Sequence, residues 1–189
     1  MGKTITKEEI ASLPVETFPG QIEVVETEED ANNVVDYLLQ FDRIGFDTET
    51  RPSFMKGVVK SVALIQLSTP EICFLFRLNR MALFPVSLIR LLSNPEVLKI
   101  GLSLRDDFQT MGRRMKFVPQ GFFDLQNIMK LHEIEELSLQ KIYAILFGKK
   151  ISKSQRLTNW EAQQLTESQQ KYAALDAWAC LKIYEKLCP

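Results

Sequence analysis

The run Ile44-Gly45-Phe46-Asp47-Thr48-Glu49-Thr50 constrains this chain most: a short apolar stretch that ends in two carboxylates two residues apart. Side chains alternate across a strand, so Asp47 and Glu49 project from one face and Phe46 and Thr48 from the other. Such a pair is either a claw for a hard cation or two solvated charges. Which it is depends on whether further acids converge on the same strand end.

The rest of the chain reads as one mixed α/β domain, residues 21–189, preceded by an arm of residues 1–20 that has Pro14, Pro19 and Gly20 but no sustained period. Gln21–Val25 is a first strand, and Thr27 with Asp30 opens a helix whose Val34, Val35, Leu38 and Leu39 share a face. After the acid-bearing strand, residues 51–57 read as a loop, and Val58–Leu67 and Glu71–Phe76 as a hairpin, so that the first three strands form a meander. Pro85–Leu92 is a short helix, Val97–Gly101 a buried strand, and a helix runs from about Ser103 to Met115. A short extended piece then leads into a helix beginning near Asp124. Ser138 caps a helix that Gly148 stops, and Thr166 with Gln169 forms a capping box for the last helix, which ends near Leu187.

Two of these helices carry acids. Leu104, Phe108, Met111 and Met115 define a buried stripe; Asp107 lies at its edge while Asp106 points nearly opposite, toward solvent. In the last helix Tyr172 and Asp176 share the face that continues as Ala179, Ile183 and Leu187. An ionised carboxylate on an apolar stripe is costly unless a cation or donors satisfy it. Asp176 is therefore paired with a buried base or binds metal, and the acids at Asp47 and Glu49 favour metal.

Phe46-Asp47-Thr48-Glu49, then Lys99-Ile100-Gly101-Leu102-Ser103-Leu104-Arg105-Asp106-Asp107, then Tyr172-Ala173-Ala174-Leu175-Asp176-Ala177 resemble, in order and spacing, the three motifs of the DEDD superfamily of 3′-5′ exonucleases. Within it they are similar to the tyrosine (DEDDy) branch that includes ribonuclease D and the exonuclease domain of the Werner syndrome helicase. Lys171 stands where the sister branch has a histidine. The resemblance implies a ribonuclease-H-like (DnaQ-like) fold with a central five-stranded mixed sheet flanked by helices. It also implies two divalent ions, Mg2+ or Mn2+, held by Asp47, Glu49, Asp107 and Asp176. Asp47 would be shared by both, Glu49 and Asp176 would complete one, and Asp107 would hold the other. Tyr172 would position the attacking water. Where relatives often have a small residue before the second Asp, this chain has Asp106, so the helical face alone selects Asp107.

The chemistry suits these residue types. Four carboxylates are offset in charge by two divalent ions, and magnesium and manganese prefer oxygen ligands. Without ions, like charges about 4 Å apart repel by roughly 4 kcal/mol at an effective dielectric near 20. A tyrosine, with an unperturbed pKa of about 10, is a poor base at neutral pH.

Substrate contacts are read more coarsely. Lys149, Lys150, Lys153 and Arg156 form a basic run suited to phosphates or simply to solvent, and Phe54 and Met55 could stack on a terminal base or pack in the core. With 23 basic and 24 acidic residues there is no global electrostatic footprint, so any nucleic-acid binding is local. Cys73, Cys180 and Cys188 form no zinc or disulfide pattern and fit a reducing, cytoplasmic setting; no stretch has the length of a membrane span. The expected substrate is the single-stranded 3′ end of DNA or RNA, with a protein partner supplying processivity to so small a unit. Two competing readings are a catalytically silent nucleic-acid-binding or scaffold protein on the same fold, and an α/β domain whose acids are surface charge.

Overall fold

The acid-bearing run forms strand β2 (Arg43–Thr50) inside a six-stranded mixed sheet, in a computed structural model that describes residues 2–52 and 60–188. Its companions are β1 (Gln21–Val25), β3 (Val62–Ser68), β4 (Ile72–Arg77), β5 (Leu98–Gly101) and β6 (Phe122–Asp124), in the order β1-β4-β3-β2-β5-β6. Strands β2, β3 and β4 are antiparallel neighbours, whereas β1 lies parallel to β4, β5 to β2 and β6 to β5.

Two expectations about the sheet change. The sheet has six strands, not five, because the short piece Phe122–Asp124 pairs in register with Lys99–Gly101. The meander is β2-β3-β4 and excludes Gln21–Val25. Helix α2 (Glu28–Leu38) carries the chain back across the sheet between β1 and β2, and such a crossover makes its two strands parallel. Phe54 and Met55, most of the predicted loop and the start of the predicted strand Val58–Leu67 lie outside the described residues.

Alternation along β2 sorts the core into two layers. Ile44 and Phe46 join Ile65, Leu67, Phe74 and Phe76 under α2, α3 (Val86–Leu92) and α4 (Leu104–Gly112). The opposite face carries Gly45, Asp47 and Glu49 and is covered by α6 (Glu167–Leu187), with α5 (Leu139–Phe147) packed on α6.

Helix ends follow local chemistry where side chains cap them. Thr27 accepts from the Asp30 N–H, and Thr166 with Gln169 forms the capping box of α6. Ser138 precedes α5 without a side-chain cap bond, while Gly148, at φ 62°, ends it. The helix expected to reach Met115 stops at Gly112, and the segment after Asp124 is a 3-10 helix, Leu125–His132. The arm is not featureless: Thr6 and Glu9 form a capping box for α1 (Lys7–Ser12), and bridges Lys3–Ile134 and Val15–Lys150 tie the arm down. Among the described residues no helix is long and apolar enough to cross a membrane.

Helix α6 approaches β2 to backbone contact. A Cβ on Gly45 would lie 2.0 Å from the Ala177 carbonyl oxygen, so Gly45→Ala must push α6 away. The expected cost is about 1–3 kcal/mol, a fall of roughly 2–12 °C in melting temperature for a chain of this size. An unchanged melting temperature in Gly45→Ala would contradict this close approach.

Candidate active site

The close approach of α6 delivers the third acid. Ala173, Ala174 and Ala177 pack on Leu64 and Leu75, and these small side chains let the helix settle low on the sheet. Asp176, 7% exposed, thereby meets Asp47 and Glu49: one carboxylate oxygen from each lies within 4.8 Å of the others. Asp176 Oδ1 is buried without a partner among the described residues. The donor set is all oxygen, and the cysteines stay out of it, so the three residues fit a hard divalent cation.

Tyr172 stands one turn before Asp176, its ring centroid 6.0 Å from that of the wholly buried Trp160 at a tilt of 34°. The Thr158–Asn159 approach to Trp160 is fastened to α6 by Gln169, whose Nε2 donates to Thr158 Oγ1 at 2.9 Å and to the Asn159 carbonyl at 3.3 Å.

Asp107 reaches the strand end from the other layer. It is buried while Asp106 is exposed, as the helical stripe predicts. Thr48, facing away from Asp47 along β2, donates its hydroxyl to Asp107. Asp107 lies outside the tight three-acid group but near enough for the Asp47 charge to perturb it. The start of α4 is fixed by Asp124, which accepts from the N–H groups of Ser103 at 3.0 Å and Leu104 at 2.9 Å; Ser103 itself adopts a left-handed conformation and gives no cap bond. Sequence reasoning missed both Thr48 and Asp124. Strand alternation places Thr48 opposite its acidic neighbours, but only the packing of α4 reveals its partner.

Burial dominates the electrostatics of the group. Desolvation and then Asp176 raise Asp47; desolvation, Asp47, Asp176 and Asp107 raise Glu49; desolvation and then Asp47 raise Asp107. Asp176 is raised by desolvation, against the pull of Tyr172 and Lys153. Burial and the three nearby carboxylates push the Tyr172 phenol well up, so it stays protonated at neutral pH.

These shifts have a sign. Each carboxyl holds its proton more tightly folded than unfolded, so its contribution to stability is complete below the unfolded value near 4 and fades as pH rises through the raised folded value. The melting temperature in EDTA is expected to fall between pH 5 and 7.5, and saturating Mn2+ should remove most of that fall. A metal-free melting temperature that rises over this interval would contradict the carboxyl shifts.

The predicted basic run divides in two. Lys149 pairs with Glu16 at 3.1 Å and Lys150 donates to the Ala11 carbonyl, so both fasten the arm. Lys153 and Arg156 instead line a cleft of about 230 Å3 with Gln140, Ile151, Tyr172 and Asp176. Their charges favour ionised Asp176 and Glu49 respectively.

A family model described as 3′-5′ exonuclease matches residues 22–189. The mouse bifunctional 3′-5′ exonuclease/ATP-dependent helicase WRN is 35% identical over 93% of this chain and 13% of its own length. Two other curated relatives, both from Drosophila melanogaster, are matched over 30% and 56% of their lengths, so the chain spans only part of these proteins. Among solved structures, the Aedes aegypti Nibbler EXO domain superposes with a TM-score of 0.81 at 25% identity, covering 91% of this chain and 90% of that one. Trypanosoma brucei RNase D in complex with RNA U12 gives 0.78 at 20% identity, covering 90% and 63%.

Proposed function

The chain belongs to the 3′-5′ exonuclease family, and on that premise we propose that residues 21–189 form a domain that hydrolyses phosphodiester bonds at the 3′ end of a single-stranded nucleic acid, releasing nucleoside 5′-monophosphates. The observation that carries this reading is the convergence of Asp47, Glu49 and Asp176 within 4.8 Å, with Asp107 hydrogen-bonded alongside through Thr48. Asp47 and Asp107 would share one divalent ion, and Asp47, Glu49 and Asp176 would hold another. Bound there, such ions supply water activation at neutral pH and neutralise charge on the entering and leaving oxygens.

The remaining work falls to the chain's own side chains. Tyr172 keeps its phenolic proton and is proposed to orient the attacking water by hydrogen bonding, not to remove its proton. Trp160 limits the tilt of that ring from behind. Lys153 and Arg156, at the cleft wall, are placed to meet phosphate oxygens. Such contacts fix the register of the strand and read no sequence. RNA and DNA both remain within this substrate class; the RNA held by the trypanosome RNase D supports the former.

The test is digestion of matched DNA and RNA single strands labelled at either end, with Mg2+, Mn2+ or EDTA. A 5′ label is expected to yield a ladder shortening by one nucleotide at a time, and a 3′ label a mononucleotide from the earliest time, neither in EDTA. Internal fragments, or shortening from the 5′ end, would contradict the proposal.

In the same assay, replacing both Lys153 and Arg156 with alanine should raise KM more than it lowers kcat and flatten the salt dependence, as loss of phosphate contacts does. Replacing Lys149 and Lys150 should leave KM within about twofold, since both serve the arm. Equal effects of the two pairs would contradict the division of the basic run.

A further inference from the structure

Strand β3 is buried along its whole length, and all but one of the side chains from Val62 to Leu67 are apolar; the exception is Gln66. Gln66 is 0% exposed, and neither its Nε2 nor its Oε1 has a hydrogen-bond partner among the described residues. A buried, unpaired amide costs about 1–3 kcal/mol, and an apolar side chain of the same shape would avoid that cost. Its position in the sheet indicates what offsets the loss. Gln66 is the direct antiparallel partner of Asp47 in the β2–β3 register, with Leu75 of β4 on its other side. Directly opposed residues project from the same face with Cβ atoms about 4.5–5.5 Å apart, within reach of a carboxamide and a carboxylate.

Of the neighbouring polar groups on this face, only Asp176 Oδ1, a member of the same three-acid group as Asp47, is an acceptor left unpaired among the described residues. Ser68 donates to the Thr69 carbonyl, and the two terminal nitrogens of Arg77 are bonded to Glu26 and to the Gln163 and Ala162 carbonyls, while its unpaired Nε is a donor and cannot accept from Gln66 Nε2. Trp160 Nε1, also buried and unpaired, is itself a donor and cannot accept from Gln66 Nε2. The α6 side chains packed on Leu64 and Leu75 are the alanines 173, 174 and 177, which offer nothing polar. Asp47 has two oxygens with about four lone-pair sites, more than ion ligation at the strand end uses.

We propose that Gln66 is a positioning residue for Asp47: its carboxamide, unpaired as the structure stands, turns to donate to an Asp47 oxygen when that carboxylate ligates a divalent cation, and so holds it in the ligating orientation. This rests on the metal-site reading given above and extends it to a residue that would touch neither cation nor substrate. Hydrogen-bond partners behind a ligating carboxylate fix its geometry, and removing one typically weakens metal binding 10–100-fold. The cost of keeping this amide unpaired in the core is thus offset when it orders Asp47.

The test compares the 189-residue chain with its Gln66→Met and Gln66→Leu variants by calorimetric titration with Mn2+ and by melting in EDTA. Both variants are expected to melt at or above the wild-type temperature in EDTA, since no satisfied bond is lost, while binding Mn2+ roughly 10–100-fold more weakly. Folded variants that bind Mn2+ within twofold of wild type would overturn the role of Gln66. Variants that unfold or melt well below wild type in EDTA would also overturn it, because they would show the amide to be satisfied within the core. Wild type that fails to bind Mn2+ at all would instead remove the metal-site reading itself. A residue that only filled space could not separate the two measurements.

Discussion

Replacing Asp47 with asparagine is expected to lower exonuclease activity by at least about a thousandfold, on the order of 4 kcal/mol of barrier, while raising the melting temperature of the metal-free protein. The two effects have opposite signs for one reason. In the folded chain Asp47 sits among Glu49, Asp176 and Asp107, desolvated and repelled by like charge. Asparagine keeps the shape, ends the repulsion, and loses the negative oxygen proposed to be shared between two ions. Relief of a buried, uncompensated charge is worth about 1–4 kcal/mol, or roughly 2–16 °C here. Activity and stability should both be read in EDTA and in Mn2+. Loss of activity together with loss of metal-free stability would mean that Asp47 is an ordinary structural acid. Retained activity would exclude it from the chemistry.

Tyr172→Phe should lower kcat by about 10²–10³, as loss of one preorganised hydrogen-bonding group does, and leave Mn2+ affinity within about twofold. The phenol lies beside Asp176, and surrounding acids and burial hold its proton on. It can therefore donate or accept a hydrogen bond but cannot act as the base. Two measurements separate these roles. Removing an orienting hydroxyl lowers the rate at every pH by a similar factor, whereas removing a base abolishes the rising limb of the pH–rate profile. Metal affinity and rate falling together in Tyr172→Phe would instead assign the hydroxyl to the ion site. The ring should remain in place on Trp160, so stability should change by no more than about 1 kcal/mol.

How much of this could be read from the chain varies by element, for physical reasons. Periodicity separated Asp107 from Asp106 because α4 is amphipathic: Leu104 and Met111 are buried in the core with Phe108 packed against them, and that stripe fixes where each neighbour points. The Thr166–Gln169 box marked the start of α6 because capping is a local bond between residues three apart. The same signal, Thr6 with Glu9, was present in the arm; a six-residue helix there depends on docking through Val15 and Lys150, which no local pattern reports.

In sequence, strand β6 is merely extended because three residues carry too little alternation; its pairing with β5 is settled only when both are in place. Lys149 and Lys150 look, in sequence, no different from Lys153 and Arg156. What divides them is Glu16 and the Ala11 carbonyl, more than 130 residues earlier. Thr48 and Gln66 were visible as residue types in odd places, a hydroxyl between two acids and an amide in an apolar strand. Their partners depend on the α4 contact and the β2–β3 register, which are long-range facts.

The central claim is that side chains from β2, α4 and α6 converge to hold divalent cations. It is tested most directly by anomalous diffraction from crystals of the protein soaked in Mn2+. Two peaks are expected, about 3.5–4 Å apart, one among Asp47, Glu49 and Asp176 and the other between Asp47 and Asp107. Well-ordered carboxylates with no manganese within ligand distance of Asp47, at a concentration that supports cleavage in solution, would contradict it.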